Sequence, residues 1–326
     1  MPRPRSAPDL YLLTKVSTLY YLRDQTQQEI ADRLRLSRPT ISRLLREAQE
    51  LGIVQITVAP PVGLHVELET RLEEHFDLKT VQVAAVGPGQ PPEILRHQLG
   101  AAAAAYLART VQPNETVGLA WGTTLGALVQ AVAPLPTTGV RVVQMLGGIG
   151  PPDAEVYAAG LVRRLAQQLA ATAVVLPAPG VVATPAVRDA LGDDPHVQAA
   201  LRQLDALDTA YVGIGSLASN SVLNDGHSLP PGTHAELHAA GAVGDIALRF
   251  FDAGGAPIHT SLDDRILGIS PGQLRRVPRV VAVAGGADKY AAIVAALRTR
   301  VVDVLITDEI TAEALLEAAR AGRGGS

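Results

Sequence analysis

Thr26-Gln27-Gln28-Glu29-Ile30-Ala31-Asp32-Arg33-Leu34-Arg35-Leu36-Ser37-Arg38-Pro39-Thr40-Ile41-Ser42-Arg43-Leu44-Leu45 reads as two short helices joined by a tight turn. Thr26 and Glu29 stand at the spacing of a capping box, in which hydroxyl and carboxylate satisfy free amides at a helix start. The first helix presents Ile30, Ala31 and Leu34 on one face, with a small residue at Ala31 where another helix must pass close. Arg35-Leu36 interrupts that pattern, and Ser37 caps a second helix whose first turn tolerates Pro39. Ile41, Leu44, Leu45 and Ala48 follow at i, i+3, i+4 and i+7. They face inward and turn Pro39, Arg43 and Arg46 outward, with Thr40 and Ser42 on the flanks.

Upstream, Leu10, Leu13, Val16, Tyr20 and Tyr21 recur at roughly helical spacing and predict a supporting helix from Leu10 to Leu22. A basic helix alone is most often a solvated face of an ordinary hairpin. Here the two caps, the small residue, the turn and the inward apolar spacing agree on a helix-turn-helix. In that motif the second helix enters the major groove, where Arg reads guanine bidentately and hydroxyls reach bases or phosphates. Arg38, Thr40 and Arg43 are the candidate base-reading residues, and Gln27, Ser42 and Arg46 are placed for phosphates. Gly52 reads as a helix stop, and Ile53, Val54, Ile56 and Val58 predict a short strand serving as a wing or connector, which makes the domain winged-helix-like. Pro60-Pro61-Val62-Gly63 marks a linker, so the expected division is 1–59 and 60–326.

The charge distribution agrees. Residues 1–58 hold nine Lys and Arg against six Asp and Glu, while the whole chain of 326 residues carries −4, so the basic excess lies at one end. A hydrophobic share of 47% suffices for a sizeable core. No stretch approaches the roughly 18 apolar residues of a membrane span, so a soluble cytoplasmic protein without a membrane partner is expected. The absence of cysteine excludes disulfides, thiolate metal sites and a cysteine nucleophile.

After the linker, β-type runs at Val81–Val86, Thr116–Ala120, Val140–Leu146, Ala173–Leu176, Thr209–Ile214, Ile246–Phe251, Val280–Ala284 and Val304–Thr307 alternate with helical stretches. Among these are Glu93–Arg109, Ala154–Ala171 and Lys289–Arg298. Such alternation predicts a doubly wound α/β domain around a mostly parallel sheet, with ligands at the carboxyl edge. Two strand-to-helix junctions carry chemistry. At Trp121-Gly122-Thr123-Thr124-Leu125-Gly126 a glycine admits a ligand to the backbone, and a helix N-terminus with two hydroxyls offers donors to an anion. At Ala284-Gly285-Gly286-Ala287-Asp288-Lys289 the same order ends in a lysine, in a chain that uses lysine only at positions 15, 79 and 289. Neither junction has the glycine pattern of a nucleotide or dinucleotide site. His234 and His238 stand at helical spacing without a third ligand, Asp263-Asp264-Arg265 reads as a salt-bridged surface, and Gly215-Ser216 lacks a nucleophile elbow. No metal, cofactor or catalytic constellation is expected.

These segments, with Leu176-Pro177-Ala178-Pro179, Gly241-Ala242-Val243-Gly244-Asp245-Ile246 and Arg249-Phe250-Phe251-Asp252, give the chain a resemblance to the SorC (SorC/DeoR-type) family of bacterial sugar-responsive regulators. The resemblance implies a large domain similar in fold to sugar-phosphate isomerases and glucosamine-6-phosphate deaminase. It further implies lost catalysis, a phosphorylated sugar as effector, and a homo-oligomer, dimer or tetramer, on an inverted-repeat operator. Carried over by position, it puts the effector phosphate on Gly122, Thr123, Thr124 and Lys289 and sugar contacts near Gly148 and Asp245. Two positions depart from the pattern. Arg35 occupies a turn position where glycine is common. Leu146 precedes Gly147-Gly148 where some relatives carry Lys or Arg, which removes an imine or second phosphate contact there. A sugar-phosphate isomerase or deaminase with an appended helical domain is the alternative function.

Overall fold

The computed structural model describes residues 9–56, 64–87, 89–148, 152–218, 229–230 and 232–323. It divides into two compact units, Met1–Pro61 and Val62–Ser326.

The first unit holds three helices: α1 Leu10–Tyr21, α2 Gln27–Leu34 and α3 Arg38–Glu50. Their inner faces form one apolar core, in which Leu13, Val16, Ile30, Ala31, Ile41 and Ala48 are completely buried. The capping box at Thr26 is formed in both directions, Thr26 N donating to Glu29 Oε2 at 2.7 Å and Glu29 N to Thr26 Oγ1 at 3.3 Å. The Thr26 amide, with Thr26 Oγ1 donating to the same Glu29 Oε2 at 2.9 Å, holds the exposed Glu29 carboxyl below the ordinary carboxylate range.

Between α2 and α3 the chain turns through Arg35, at φ 55° and ψ 42°. Leu36 N reaches back to Ala31 O at 2.9 Å and Arg35 N to Asp32 O at 3.4 Å. This is the double bond pattern of a Schellman stop, built on a residue with a Cβ where glycine is free of strain. Arg35→Gly is therefore expected to stabilise the α2–α3 turn by about 1 kcal/mol, the lower end of the left-handed penalty. Slower amide hydrogen exchange in α2 and α3 would register the gain, and unchanged or faster exchange would contradict it.

The expected strand after Gly52 is not formed in its described part. Ile53 and Val54 pack on the helical core instead, Ile56 is exposed, and Val58 lies outside the described residues. The two apolar residues nearest α3 are partly buried against the helices, which leaves no alternating face for a strand to use.

The second unit is built on a seven-stranded, wholly parallel sheet. Its strands are β1 Thr80–Ala84, β2 Thr116–Leu119, β3 Arg141–Gln144, β4 Thr172–Val174, β5 Thr209–Gly213, β9 Arg279–Val283 and β10 Val304–Asp308, in the order β1-β10-β9-β5-β2-β3-β4. Every residue of β2 and of β10 is buried, as expected of parallel strands covered on both faces. Helices α5 Pro92–Thr110, α6 Thr123–Ala131 and α7 Pro152–Gln168 pack in succession, while α4 Val66–Phe76, α12 Tyr290–Arg298 and α13 Glu309–Arg323 pack among themselves. Right-handed crossovers stepping in opposite directions along the sheet put these two groups on opposite faces.

A smaller antiparallel sheet joins β6 Gly215–Ser216, β7 Ala242–Ile246 and β8 Arg249–Asp252. The predicted single strand Ile246–Phe251 is in fact the turn and second arm of this hairpin. Ala247 and Leu248 both adopt positive φ, 53° and 59°. That is the geometry of a two-residue hairpin turn, whose usual Asn-Gly signal is missing here. Asp245 Oδ2 accepts from Leu248 N at 3.0 Å and braces the turn. Three further helices, α8 Pro185–Gly192, α9 Pro195–Arg202 and α10 Thr233–Ala239, and the short α11 Pro271–Arg276 complete the unit.

Candidate nucleic-acid interface and ligand cleft

On the helical unit, Ser37 Oγ caps α3 by accepting from Thr40 N at 3.3 Å and lies 2.8 Å from Thr40 Oγ1. The Thr40 hydroxyl is thus half engaged in the cap, while Arg38, Arg43 and Arg46 are exposed and form no ion pair among the described residues. Ser42 is half-buried beside them, and Gln27 sits in the first turn of α2. Three unpaired guanidinium groups along one exposed face keep their full donor capacity for phosphates and base edges.

In the α/β unit the strand order reverses at β2. From there β3 and β4 lie on one side, and β5, β9 and β10 on the other. A crevice opens at the carboxyl ends of the two strands flanking such a switch. Here a cleft of about 290 Å³ lies there, lined by Trp121, Gly122, Thr123 and Thr124 after β2, by Gly213, Ile214 and Gly215 after β5, and by Asp245, Ala247 and Leu248 from the small sheet. Asp288 and Lys289 after β9 and Pro92 and Arg96 of α5 close it. The two junctions singled out in the sequence therefore meet at one site, 165 positions apart in the chain from Thr124 to Lys289.

Gly122 precedes α6 at φ 130°, ψ 162°, which is glycine-only backbone, and no side chain caps the helix. The first amides of α6, with the hydroxyls of Thr123 and Thr124, are left facing a cleft occupant. The second junction is built otherwise. The amide of Gly286 is spent on Asp308 Oδ2 and Thr311 Oγ1, both at 2.9 Å, and a Cβ on Gly285 would meet the Asp308 carboxylate. Its contribution is the side chain of Lys289, at the end of a short 3₁₀ turn Ala287–Lys289.

Lys289 Nζ donates to Ile214 O at 3.1 Å and forms no ion pair among the described residues. Burial lowers its pKa, opposed by the nearby carboxylates of Asp288 and Asp245. Asp245 is raised to about 6, chiefly by burial, against the Leu248 amide and the Lys289 charge. Its Oδ1 is buried with no hydrogen-bond partner among the described residues. The cleft thus offers amides, hydroxyls and a partly desolvated ammonium to an anion, and a carboxylate oxygen to hydroxyl donors.

Gly148 does not line this cleft. Its amide donates to Ala178 O and its carbonyl accepts from Gly180 N, in a bridge to Pro179. Sequence reasoning missed Arg96, which lines the cleft from the second turn of α5. Among 28 Lys and Arg no local pattern distinguishes it, and only packing brings it in.

The family model of a sugar-binding domain (Sugar-bind) matches residues 61–317, and that of sigma-70 region 4 matches residues 15–50. The chain is 34% identical over 305 residues to the deoxyribonucleoside regulator of Bacillus subtilis, covering 94% of this chain and 97% of the relative. It is 31% identical over 314 residues to the sorbitol operon regulator of Klebsiella pneumoniae, covering 96% and 99%. The crystal structure of the full-length sorbitol operon regulator SorC from Klebsiella pneumoniae superposes with a TM-score of 0.73, at 31% identity, covering 95% of this chain and all of that one. Helix-turn-helix and parallel-sheet sugar-binding domain together define a DNA-binding transcriptional regulator of carbohydrate metabolism. The chain belongs to the SorC family.

Proposed function

We propose that the cleft binds a phosphorylated sugar and that this effector changes the affinity of the chain for operator DNA. The phosphate sits on the amides and hydroxyls of Gly122, Thr123 and Thr124 with Lys289 as counter-charge, and Asp245 accepts from sugar hydroxyls. The observation that carries the reading is the convergence of the α6 N-terminus and Lys289 on one cleft at the strand-order switch. The relatives named for deoxyribonucleosides and sorbitol support a sugar-type ligand. The regulator acts without catalysis in the cytoplasm as a homo-oligomer on an inverted repeat, because one recognition helix covers a half-site and a two-fold protein matches a two-fold operator. Effector control is then a population shift between arrangements of that oligomer.

On α3, the exposed Arg43 reaches base edges and Arg46 reaches phosphate. Arg43→Ala is expected to cost about 1 to 3 kcal/mol of discrimination between operator and random DNA, the size of one bidentate base contact. Arg46→Ala should weaken both equally. Titrations of the two variants on operator and random duplexes at matched salt test this, and an Arg43→Ala protein with unchanged discrimination would move the reading face elsewhere.

One observation favours a second reading. A buried carboxylate titrating near 6 inside a ligand cleft is suited to proton abstraction from a sugar phosphate. Incubation of the full chain with common phosphosugars and analysis for isomerised or deaminated product separates the two readings, since a regulator returns the sugar unchanged.

A further inference from the structure

Gly100 and Ala127 set the spacing between two helices at the cleft. A Cβ at Gly100 of α5 would fall 2.6 Å from the backbone carbon of Ala127 and 2.8 Å from Leu128 N of α6, so the pair packs backbone to backbone. Both helices follow parallel strands of one sheet and run in the same direction. Arg96 lies one turn before Gly100 on the same face of α5, and Thr123 one turn before Ala127 on α6. The close approach therefore brings the Arg96 side chain level with the α6 N-terminus, where both residues line the cleft.

Arg96 has little to hold it otherwise. Its contact is an i,i+3 pair with Glu93 Oε1 at 3.6 Å, and that glutamate is 68% exposed. An exposed pair of this kind gives up its cation readily to a better anion. Lys289 and Arg96 face the same space, and the Arg96 charge is felt at Lys289 as a repulsion. The Asp288 and Asp245 carboxylates in the same cleft offset part of that repulsion, and an anion seated between the two cations offsets it directly. A guanidinium also offers two parallel donors to neighbouring phosphate oxygens, which an ammonium cannot.

Resting on the reading of the cleft as a phosphate site, we propose that Arg96 is a second cationic ligand of that phosphate, brought there by the Gly100–Ala127 contact. The site then matches a fully ionised phosphate with two full positive charges as well as the helix amides.

Calorimetric titration of the full chain with inorganic phosphate tests the assignment. Arg96→Gln is expected to weaken phosphate about tenfold, the loss of a charge-assisted hydrogen bond. Arg96→Lys should fall between the two, and Glu93→Gln, which frees the guanidinium, should bind as tightly as the unaltered chain or more tightly. If Arg96→Gln binds phosphate normally while Lys289→Gln loses it, the proposal is overturned and the cleft reading stands. A loss in Glu93→Gln equal to that in Arg96→Gln also overturns it, because the ion pair and not the ligand contact would then matter. If the unaltered chain binds no phosphate, or both cation variants bind it normally, the phosphate reading of the cleft fails together with the proposal.

Discussion

Arg279→Ala is expected to destabilise the α/β unit by about 3 kcal/mol, the lower end of the range for breaking a buried ion pair. Glu115, at the amino edge of β2, has a side chain only 5% exposed, and Arg279 of β9 pairs with its Oε1 at 2.7 Å. The same carboxylate accepts from Thr209 Oγ1 of β5 and from Gln112 N, while Arg279 Nε donates to Thr209 Oγ1 at 3.0 Å. One buried charge therefore ties together β2, β5 and β9, the three central strands whose far ends carry the cleft. Removing the arginine strands the carboxylate, whereas replacing both partners by leucine removes the buried charge as well and should recover much of the loss. Urea unfolding followed by the fluorescence of Trp121, the single tryptophan, reports on this unit alone. A loss below about 1 kcal/mol would mean that water reaches Glu115 freely.

The second large effect concerns Lys289. Its ammonium is half-buried, its pKa lowered by that burial, and among the described residues its hydrogen-bond partner is the Ile214 carbonyl. A phosphate arriving at the α6 N-terminus adds a counter-charge in direct hydrogen-bond reach. Lys289→Ala should accordingly weaken a phosphorylated effector by about 1.5 to 3 kcal/mol, the range for hydrogen bonds to charged groups. Binding to operator in the absence of effector should change little, since Lys289 lies in the α/β unit and the reading face in the helical one. The regulator would become deaf to its signal. Calorimetry with the effector and operator titrations on the same variant measure both parts. Undiminished effector affinity would return Lys289 to the role of a structural donor to Ile214, and lost operator affinity would give it a part in the assembly.

The helical unit was legible almost residue by residue because its signals are local. Thr26 with Glu29, Ser37 with Pro39 and the inward row from Ile41 to Ala48 each act within a turn or two of helix, and all are formed. Most strands were legible for a similar reason, as buried parallel strands are continuous apolar runs. The Ala247-Leu248 turn was not, because its residues carry no turn preference. What holds them is a hydrogen bond from Leu248 N to Asp245, together with the burial of both side chains. The false strand near Ile53 fails for the opposite reason, a local pattern overruled by packing on the helices. In the cleft, Gly122 and Lys289 announced themselves by rarity and by position after a strand. Arg96 reaches the cleft through a helix contact that no spacing within α5 reveals, while the backbone of Gly148 bonds to Ala178 and Gly180 outside the cleft lining.

The placement of β1 has a consequence for how the chain is made. This first strand of the sheet pairs with β10 alone, Thr80 opposite Val304 and Ala84 opposite Asp308. The contact closes a loop of about 220 residues, among the slowest kinds of pairing to form. On the ribosome, at roughly 5 to 20 residues per second, β1 waits on the order of 10 to 45 s for its partner to be synthesised. Through that interval an apolar strand stands without its neighbour, while the helical unit ahead of it has all its contacts in hand. The sugar-binding unit is thus the part of this regulator whose first strand waits longest for its partner during translation, and a ribosome that stalls before residue 304 leaves β1 without the strand it pairs with.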